Sequence, residues 1–235
     1  MNYTFYDKSG NYYKTYQLDN EFNKGKYGQI YQINDDILLK IFVNYPNNTN
    51  FELTFKTIMN MNLENFYQIY QMLYNNNGQF VGYTMKLYKE EEIDILTMPI
   101  DYTLDNLKKI SNSIKLLTNN NILINDMRCD NSICNNNDII VIDIDLYQKI
   151  NKSTYIDIDY KNNSSLLHLF KGLYYRSLCI YHDAINSDNL ILDSIFDKDN
   201  TVDDICKKLA KYKYPIDYLS ERRNRYYGNK IIRYR

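Results

Sequence analysis

The apolar residues of this chain change their spacing near residue 100, and that change limits the fold more than any other feature. Before it, short runs of strand character are separated by turn residues. Residues 3–6 and 12–18 flank Asp7-Lys8-Ser9-Gly10-Asn11; residues 29–33 and 37–42 flank Asn34-Asp35-Asp36; residues 66–74 and 80–88 flank Asn75-Asn76-Asn77-Gly78. Each is a hairpin signal, because Gly, Asn and Asp supply the turn conformations that link antiparallel strands. Residues 51–61 interrupt the series with the mixed pattern of a short helix.

After the change, Leu104, Leu107, Ile110, Ile114 and Leu117 follow helical spacing, with Thr103 as the expected N-cap and Asp105 in the first turn. Short β pieces are expected around residues 122–124, 132–134 and 139–142. Beyond Tyr160 the pattern is helical, with Leu166, Phe170, Leu173 and Tyr174 on one buried helix and Thr201 capping another that carries Val202, Ile205 and Leu209. Strands followed by helices indicate an α+β protein. The expected division is a β-rich part over 1–88 and a mainly helical part over 89–235.

Composition narrows the function classes. The chain's 235 residues suffice for one compact or two-lobed unit. A formal net charge of −1 gives no field suited to nucleic acid. The exception is the tail over 221–235, where Arg222, Arg223, Arg225, Lys230, Arg233 and Arg235 cluster. It reads as a solvated helix end, or as a docking patch for a phosphorylated or acidic partner. Cys129, Cys134, Cys179 and Cys206 form no Cys-x-x-Cys pair, and His168 and His182 lie away from them, so neither zinc nor a disulfide framework is supported. Without a signal segment or an apolar run of membrane length, the expected location is cytoplasmic. The 26 tyrosines and the asparagine clusters share AT-rich codons, and the asparagine triplets fall between apolar runs, where they read as turns.

Three segments carry chemistry. Gly25-Lys26-Tyr27-Gly28-Gln29-Ile30 lies between two expected strands, where glycines let backbone amides approach a phosphate, or simply make a turn. Lys40 interrupts the apolar run Ile37-Leu38-Leu39-Lys40-Ile41-Phe42 and must reach water or meet an anion. Glu52 on the short helix is the expected partner, with Glu64 competing. Asp126 and Asn131 stand five apart between a long amphipathic helix and an apolar strand. The strand ends in Ile142-Asp143-Ile144-Asp145, an expensive place for carboxylates unless a cation compensates. Spacing alone does not select the pair, since Asp101/Asn106, Asp130/Asn135 and Asp157/Asn162 repeat it.

Taken in order, the glycine turn, strand lysine, helix glutamate, Asp-x-x-x-x-Asn and strand-end aspartate resemble the protein-kinase superfamily over roughly residues 15–147. The opening hairpin and Gly82-Tyr83-Thr84-Met85 look like small, divergent bacterial members. The Asp143-Ile144-Asp145 ending looks like the D-x-D of aminoglycoside- and choline-type kinases. The resemblance implies a two-lobed fold with a β-rich first lobe and a helical second lobe, binding ATP and Mg²⁺. It implies that Gly25, Tyr27, Gly28, Ile30 and Met85 face the nucleotide and that Lys40, paired with Glu52, orients the phosphates. Asp126 accepts the substrate proton, Arg128 meets the γ-phosphate, and Asn131 and Asp143 hold the metal; Asp145 supports a second metal or caps a turn. The acceptor is a protein Ser/Thr or a small molecule; a scaffold without turnover is the rival reading.

The departures also carry expectations. Asn23 replaces the first glycine, Ile124 and Asn125 replace the loop histidine and arginine, and Asp145 replaces the glycine of D-F-G. No switch through activation-loop phosphorylation is expected.

Overall fold

The computed structural model describes residues 2–18, 21–44, 50–88, 95, 98–151, 157–180 and 191–211. Its first part is one seven-stranded antiparallel sheet: β1 (Asn2–Tyr6), β2 (Tyr12–Gln17), β3 (Glu21–Lys24), β4 (Gly28–Gln32), β5 (Ile37–Phe42), β6 (Ile69–Tyr74) and β7 (Phe80–Lys86). The spatial order is β2-β1-β6-β7-β5-β4-β3. The three hairpins expected from the turn residues form. Asp7 Oδ1 accepts the backbone N–H groups of Ser9 and Asn11, and Asn75 Oδ1 accepts those of Asn77 and Gln79. These are the short-range bonds that asparagine and aspartate offer a turn.

Because successive strand residues face opposite ways, β5 feeds two cores. Leu39 joins Phe5, Leu18, Tyr31 and Leu73 on one face of the sheet. Leu38 and Phe42 join the main core on the other, with Phe55, Tyr83 and Met85. Helix α1 (Phe51–Met59) covers this second face, its Phe51 and Phe55 rings lying 4.9 Å from Phe42 and 4.9 Å from Tyr83. Lys40 shares the face of Leu38 and Phe42, and is therefore aimed into the interior.

The second part holds α2 (Ile100–Asn119), β8 (Ile122–Leu123), a 3₁₀ turn over Cys129–Asn131, β9 (Ser132–Asn135), β10 (Asp138–Val141), β11 (Gln148–Lys149), α3 (Ile158–Ile180) and α4 (Val202–Lys211). The β9–β10 hairpin turns through Asn136 and Asn137, both at positive φ (52° and 66°), as a two-residue turn between twisted strands requires. Helix α2 corrects one expectation: it starts at Ile100 after Pro99, so Thr103 is an interior, buried residue and not the N-cap. Proline's fixed φ suits the entry to a helix, and it overrode the weaker Thr signal. Thr201 does cap α4, exchanging bonds with Asp204 across the first turn. The basic tail over 221–235 lies outside the described residues. No helix among the described residues is long and apolar enough to cross a membrane.

Two buried asparagines lock this part together. Asn106 on α2 accepts Ile139 N–H at 2.7 Å and donates to Asn137 O at 2.8 Å, fixing the β9–β10 hairpin to the helix. Asn162 on α3 accepts Ile124 N–H at 2.7 Å and donates to Ile122 O at 2.9 Å, gripping the chain on both sides of Leu123. The parts meet where Val141 and the Asn65–Tyr67 segment exchange backbone bonds, Tyr67 N–H to Val141 O at 3.0 Å and Val141 N–H to Asn65 O at 2.8 Å.

Close strand approach at Lys40 depends on Gly82. A Cβ there would sit 2.2 Å from Lys40 O, a backbone atom that no side-chain motion can move aside. Gly82→Ala is expected to cost about 1–3 kcal/mol, in the range of core overpacking. A urea midpoint equal to that of the wild type would show that β5 and β7 part without penalty.

Candidate functional site

Lys40 lies on β5 opposite Tyr83 of β7, and only 5% of it is exposed. An ammonium so placed needs counter-charge. It finds two carboxylates beyond the end of β10: Asp145 Oδ2 at 2.5 Å and Asp143 Oδ1 at 3.1 Å. The Asp145 contact is an ion pair off the hydrogen-bond direction. Asp145 is 1% exposed, and its other oxygen accepts the Tyr83 hydroxyl at 3.1 Å. Tyr83 in turn meets the Tyr67 hydroxyl at 2.6 Å, the rings stacked 6.0 Å apart. Asp143, by contrast, has a side chain 43% exposed.

Asp126 follows β8 in a left-handed backbone conformation (φ 64°), and Asp143 does likewise (φ 59°). Aspartate tolerates this region because its short side chain bonds locally. Arg128 clamps Asp126 with Nε to Oδ1 at 2.6 Å and Nη2 to Oδ2 at 3.2 Å. Asn131 Nδ2 donates to the Asp126 carbonyl at 2.7 Å and reaches Oδ2 at 3.3 Å, turning its amide oxygen away from that carboxylate. Asn125 Nδ2 donates to Leu146 O at 2.9 Å, and Ile142 N–H donates to Asn131 O at 2.9 Å, so the two aspartate loops are bonded to each other. The asparagine at position 125 thus has a structural duty that no sequence motif signals.

Lys40, Asp126, Arg128, Asn131, Asp143 and Asp145 line one cavity of about 300 Å³, closed on another side by the Gly25–Tyr27 turn. That turn is held by Gly25 N–H to Gly28 O at 2.8 Å. Gly28 itself lies in β4 against Ile41 O, where a Cβ would come within 2.7 Å. A cleft of about 690 Å³ between α2, α3 and α4 is larger, but none of these residues lines it.

Four expected site residues, Gly28, Ile30, Glu52 and Met85, stand outside the lining of this cavity. Glu52 does not reach Lys40; it pairs with Lys8 of the first hairpin and accepts the Tyr74 hydroxyl at 3.3 Å. Its place on α1 directs it toward the outer strands, and the pairing expected from order along the chain fails for that reason. Glu64, the competitor, lends its backbone carbonyl to Ser113 Oγ. Ile30 and Met85 are not among the residues that line the cavity; Met85 is buried in β7, paired with Leu38 and Ile69. Asp145, expected to support a second metal or to cap a turn, is instead the nearer carboxylate partner of Lys40. Its signal was the second carboxylate two residues along from Asp143.

No three His, Cys, Asp or Glu side chains converge to hold a metal among the described residues. Mg²⁺ needs no such cage, since it keeps several waters and takes one or two carboxylates together with substrate phosphates. Half-exposed Asp143 and the Asn131 amide oxygen are the donors that fit it. Comparison with known protein families finds no match, and no curated protein matches the chain.

Burial drives the Asp145 carboxyl up to about 6, although Lys40 opposes the shift; Lys40 is held above its ordinary value by the two aspartates, which outweigh its own burial. The unfolded chain therefore ionises at position 145 first, and this residue's contribution to stability declines as pH rises from about 4 to about 6. The stability difference between wild type and Asp145→Asn is expected to fall across that window and to be level above it. Parallel denaturation profiles through pH 4–7 would refute this.

Proposed function

We propose that this chain is a phosphotransferase of the protein-kinase-like type, moving the γ-phosphoryl group of ATP, bound with Mg²⁺, to a hydroxyl. The convergence of Lys40, Asp126, Arg128, Asn131 and Asp143 beside a glycine turn carries the reading. Four segments distant in sequence supply cations, carboxylates and free backbone to one cavity, the set that phosphoryl transfer needs for positioning and charge neutralisation. On this reading the β1–β7 sheet is the first lobe and the part from α2 onward the second. The acceptor is a protein Ser/Thr. The small-molecule D-x-D arrangement is less favoured, because Asp145 is committed to Lys40 and Tyr83 rather than open to a second metal.

The residues divide the work as follows. Lys40 orients the phosphates from the cavity floor. Asp143 and the Asn131 amide oxygen would hold the metal, which when bound neutralises charge on the transferring group. Arg128, with a side chain 49% exposed, is able to leave Asp126 for the γ-phosphate. The Asp126 carboxylate then accepts the acceptor's proton as its oxygen bonds to phosphorus and the bond from phosphorus to the departing ADP oxygen breaks.

One observation favours a second reading. Both Asp126 oxygens are occupied by Arg128, with Asn131 close to one of them, which suits a nucleotide-binding scaffold without turnover.

Thermal denaturation with ATP, with and without Mg²⁺, separates these. Metal-dependent stabilisation of about 2.7 kcal/mol is expected at a hundredfold excess over Kd. Asp126→Asn keeps the backbone conformation, since asparagine tolerates φ near 64°. It should retain that stabilisation and lose phosphoryl transfer by about 10²-fold or more. Stabilisation without any turnover in the wild type would establish the scaffold; no metal-dependent response to ATP would sink both readings.

A further inference from the structure

Resting on the phosphotransferase reading, we propose that Asp145 is the positioning residue for Lys40, in the role that the resemblance gives to a helix glutamate. The carboxylate of Asp145, fixed by Tyr83, anchors the ammonium from below. Asp143, the exposed partner, is the one that a phosphate oxygen displaces.

The geometry separates the two aspartates. Asp145 is 1% exposed and approaches Lys40 to 2.5 Å, whereas Asp143 has a side chain 43% exposed and stands at 3.1 Å. A ligand entering the cavity meets half-exposed Asp143 first; Asp145 lies on the cavity wall with almost no exposed surface, one oxygen against Lys40 and the other accepting the hydroxyl of fully buried Tyr83 at 3.1 Å. Tyr83 is the residue directly opposite Lys40 in the β5–β7 register, so the sheet that carries the lysine also carries the group that holds its anchor. The Tyr67 hydroxyl, 2.6 Å from that of Tyr83, extends the chain to the segment that bonds Val141, just before the two aspartates. Glu52 has no part in this chain. It is engaged by Lys8 and Tyr74. An ammonium has three N–H groups in rotatable positions. One side held by a sealed carboxylate and one by an open carboxylate leaves it pre-set to exchange the open one for phosphate.

The experiment compares the full chain with Lys40→Met, Asp145→Asn, Glu52→Gln, and the doubles Lys40→Met/Asp145→Asn and Lys40→Met/Glu52→Gln. Urea midpoints and affinity for a fluorescent ATP analogue with Mg²⁺ are read for each. Lys40→Met strands a buried carboxylate, so adding Asp145→Asn should raise its midpoint, while adding Glu52→Gln should not. Asp145→Asn should weaken nucleotide binding at least tenfold and raise KM for ATP more than it lowers kcat. Glu52→Gln should stay within twofold of wild type. Additive midpoints for Lys40 and Asp145, or equal loss of affinity in Glu52→Gln and Asp145→Asn, would overturn the role. If Lys40→Met does not fold, recovery of folding in the double with Asp145→Asn supports the role, and failure to recover overturns it. Absence of nucleotide binding by the wild type removes the phosphotransferase reading and this role with it. Binding with additive midpoints removes the role alone.

Discussion

One buried ammonium organises the molecule. Lys40 sits among Leu38, Phe42 and Tyr83 on the inner face of the sheet, where an unpaired charge would cost more than most single contacts supply. Its counter-charges come from Asp143, 103 positions along the chain, and from Asp145 two residues further. The sheet and the helical part are therefore joined by ion pairs as well as by apolar packing. The backbone bonds between Val141 and the Asn65–Tyr67 segment deliver both aspartates to the lysine. A buried pair of this kind is weak evidence for stability, because desolvation opposes it. Its retention makes better sense as a means of fixing a positive charge at the bottom of a cavity.

The chain reaches its tight conformations with few glycines. Among the described residues, six that are not glycine adopt positive φ: Asn65, Asn121, Asp126, Asn136, Asn137 and Asp143. All are Asn or Asp, the side chains that visit this region at least cost. The placement of asparagine in turns follows from this conformational tolerance at Asn136 and Asn137, and from side-chain bonds to backbone N–H groups at Asn75. At Asp126 and Asp143 the same backbone property serves the site, since each turns sharply at the end of a buried segment and returns its carboxylate to the cavity. Asn65 is also hydrogen-bonded through its side chain to Asn106 and Ile139, so local conformation and long-range packing are set by one residue.

What could be read from the sequence follows from how far each determinant reaches along the chain. Strands and hairpins are local, written in alternating apolar residues and in turns such as Asp7–Asn11 and Asn75–Gly78, and six of the seven strands of the main sheet were legible; β3 (Glu21–Lys24), a fully exposed edge strand with a single apolar residue, was not. The cavity residues were legible as a set because a lysine and two aspartates in apolar runs need partners. Which partner each takes was not legible. Glu52 goes to Lys8 because of the way α1 sits on the sheet, a packing outcome with no trace in spacing. The recurring Asp-x-x-x-x-Asn spacing was ambiguous for a physical reason now visible. In Asp101/Asn106 and Asp157/Asn162 the asparagine is a buried amide bridging backbone groups, a use that leaves the same letters in the sequence as a metal ligand would.

The charges around the cavity bear on how it would take a polyanion. Among its lining residues Lys26, Lys40 and Arg128 supply three positive charges, and Asp126, Asp143 and Asp145 supply three negative ones. The balance is zero, and Lys40 and Arg128 are already engaged by carboxylates. A triphosphate entering alone would displace ion pairs without meeting any surplus of positive charge. A divalent cation changes that balance, because it converts Asp143 from a competitor of the phosphates into a ligand on their side. On the phosphotransferase reading, metal dependence then follows from the neutrality of the protein site itself, and Asp145, sealed against Lys40, is the one carboxylate that the exchange leaves in place.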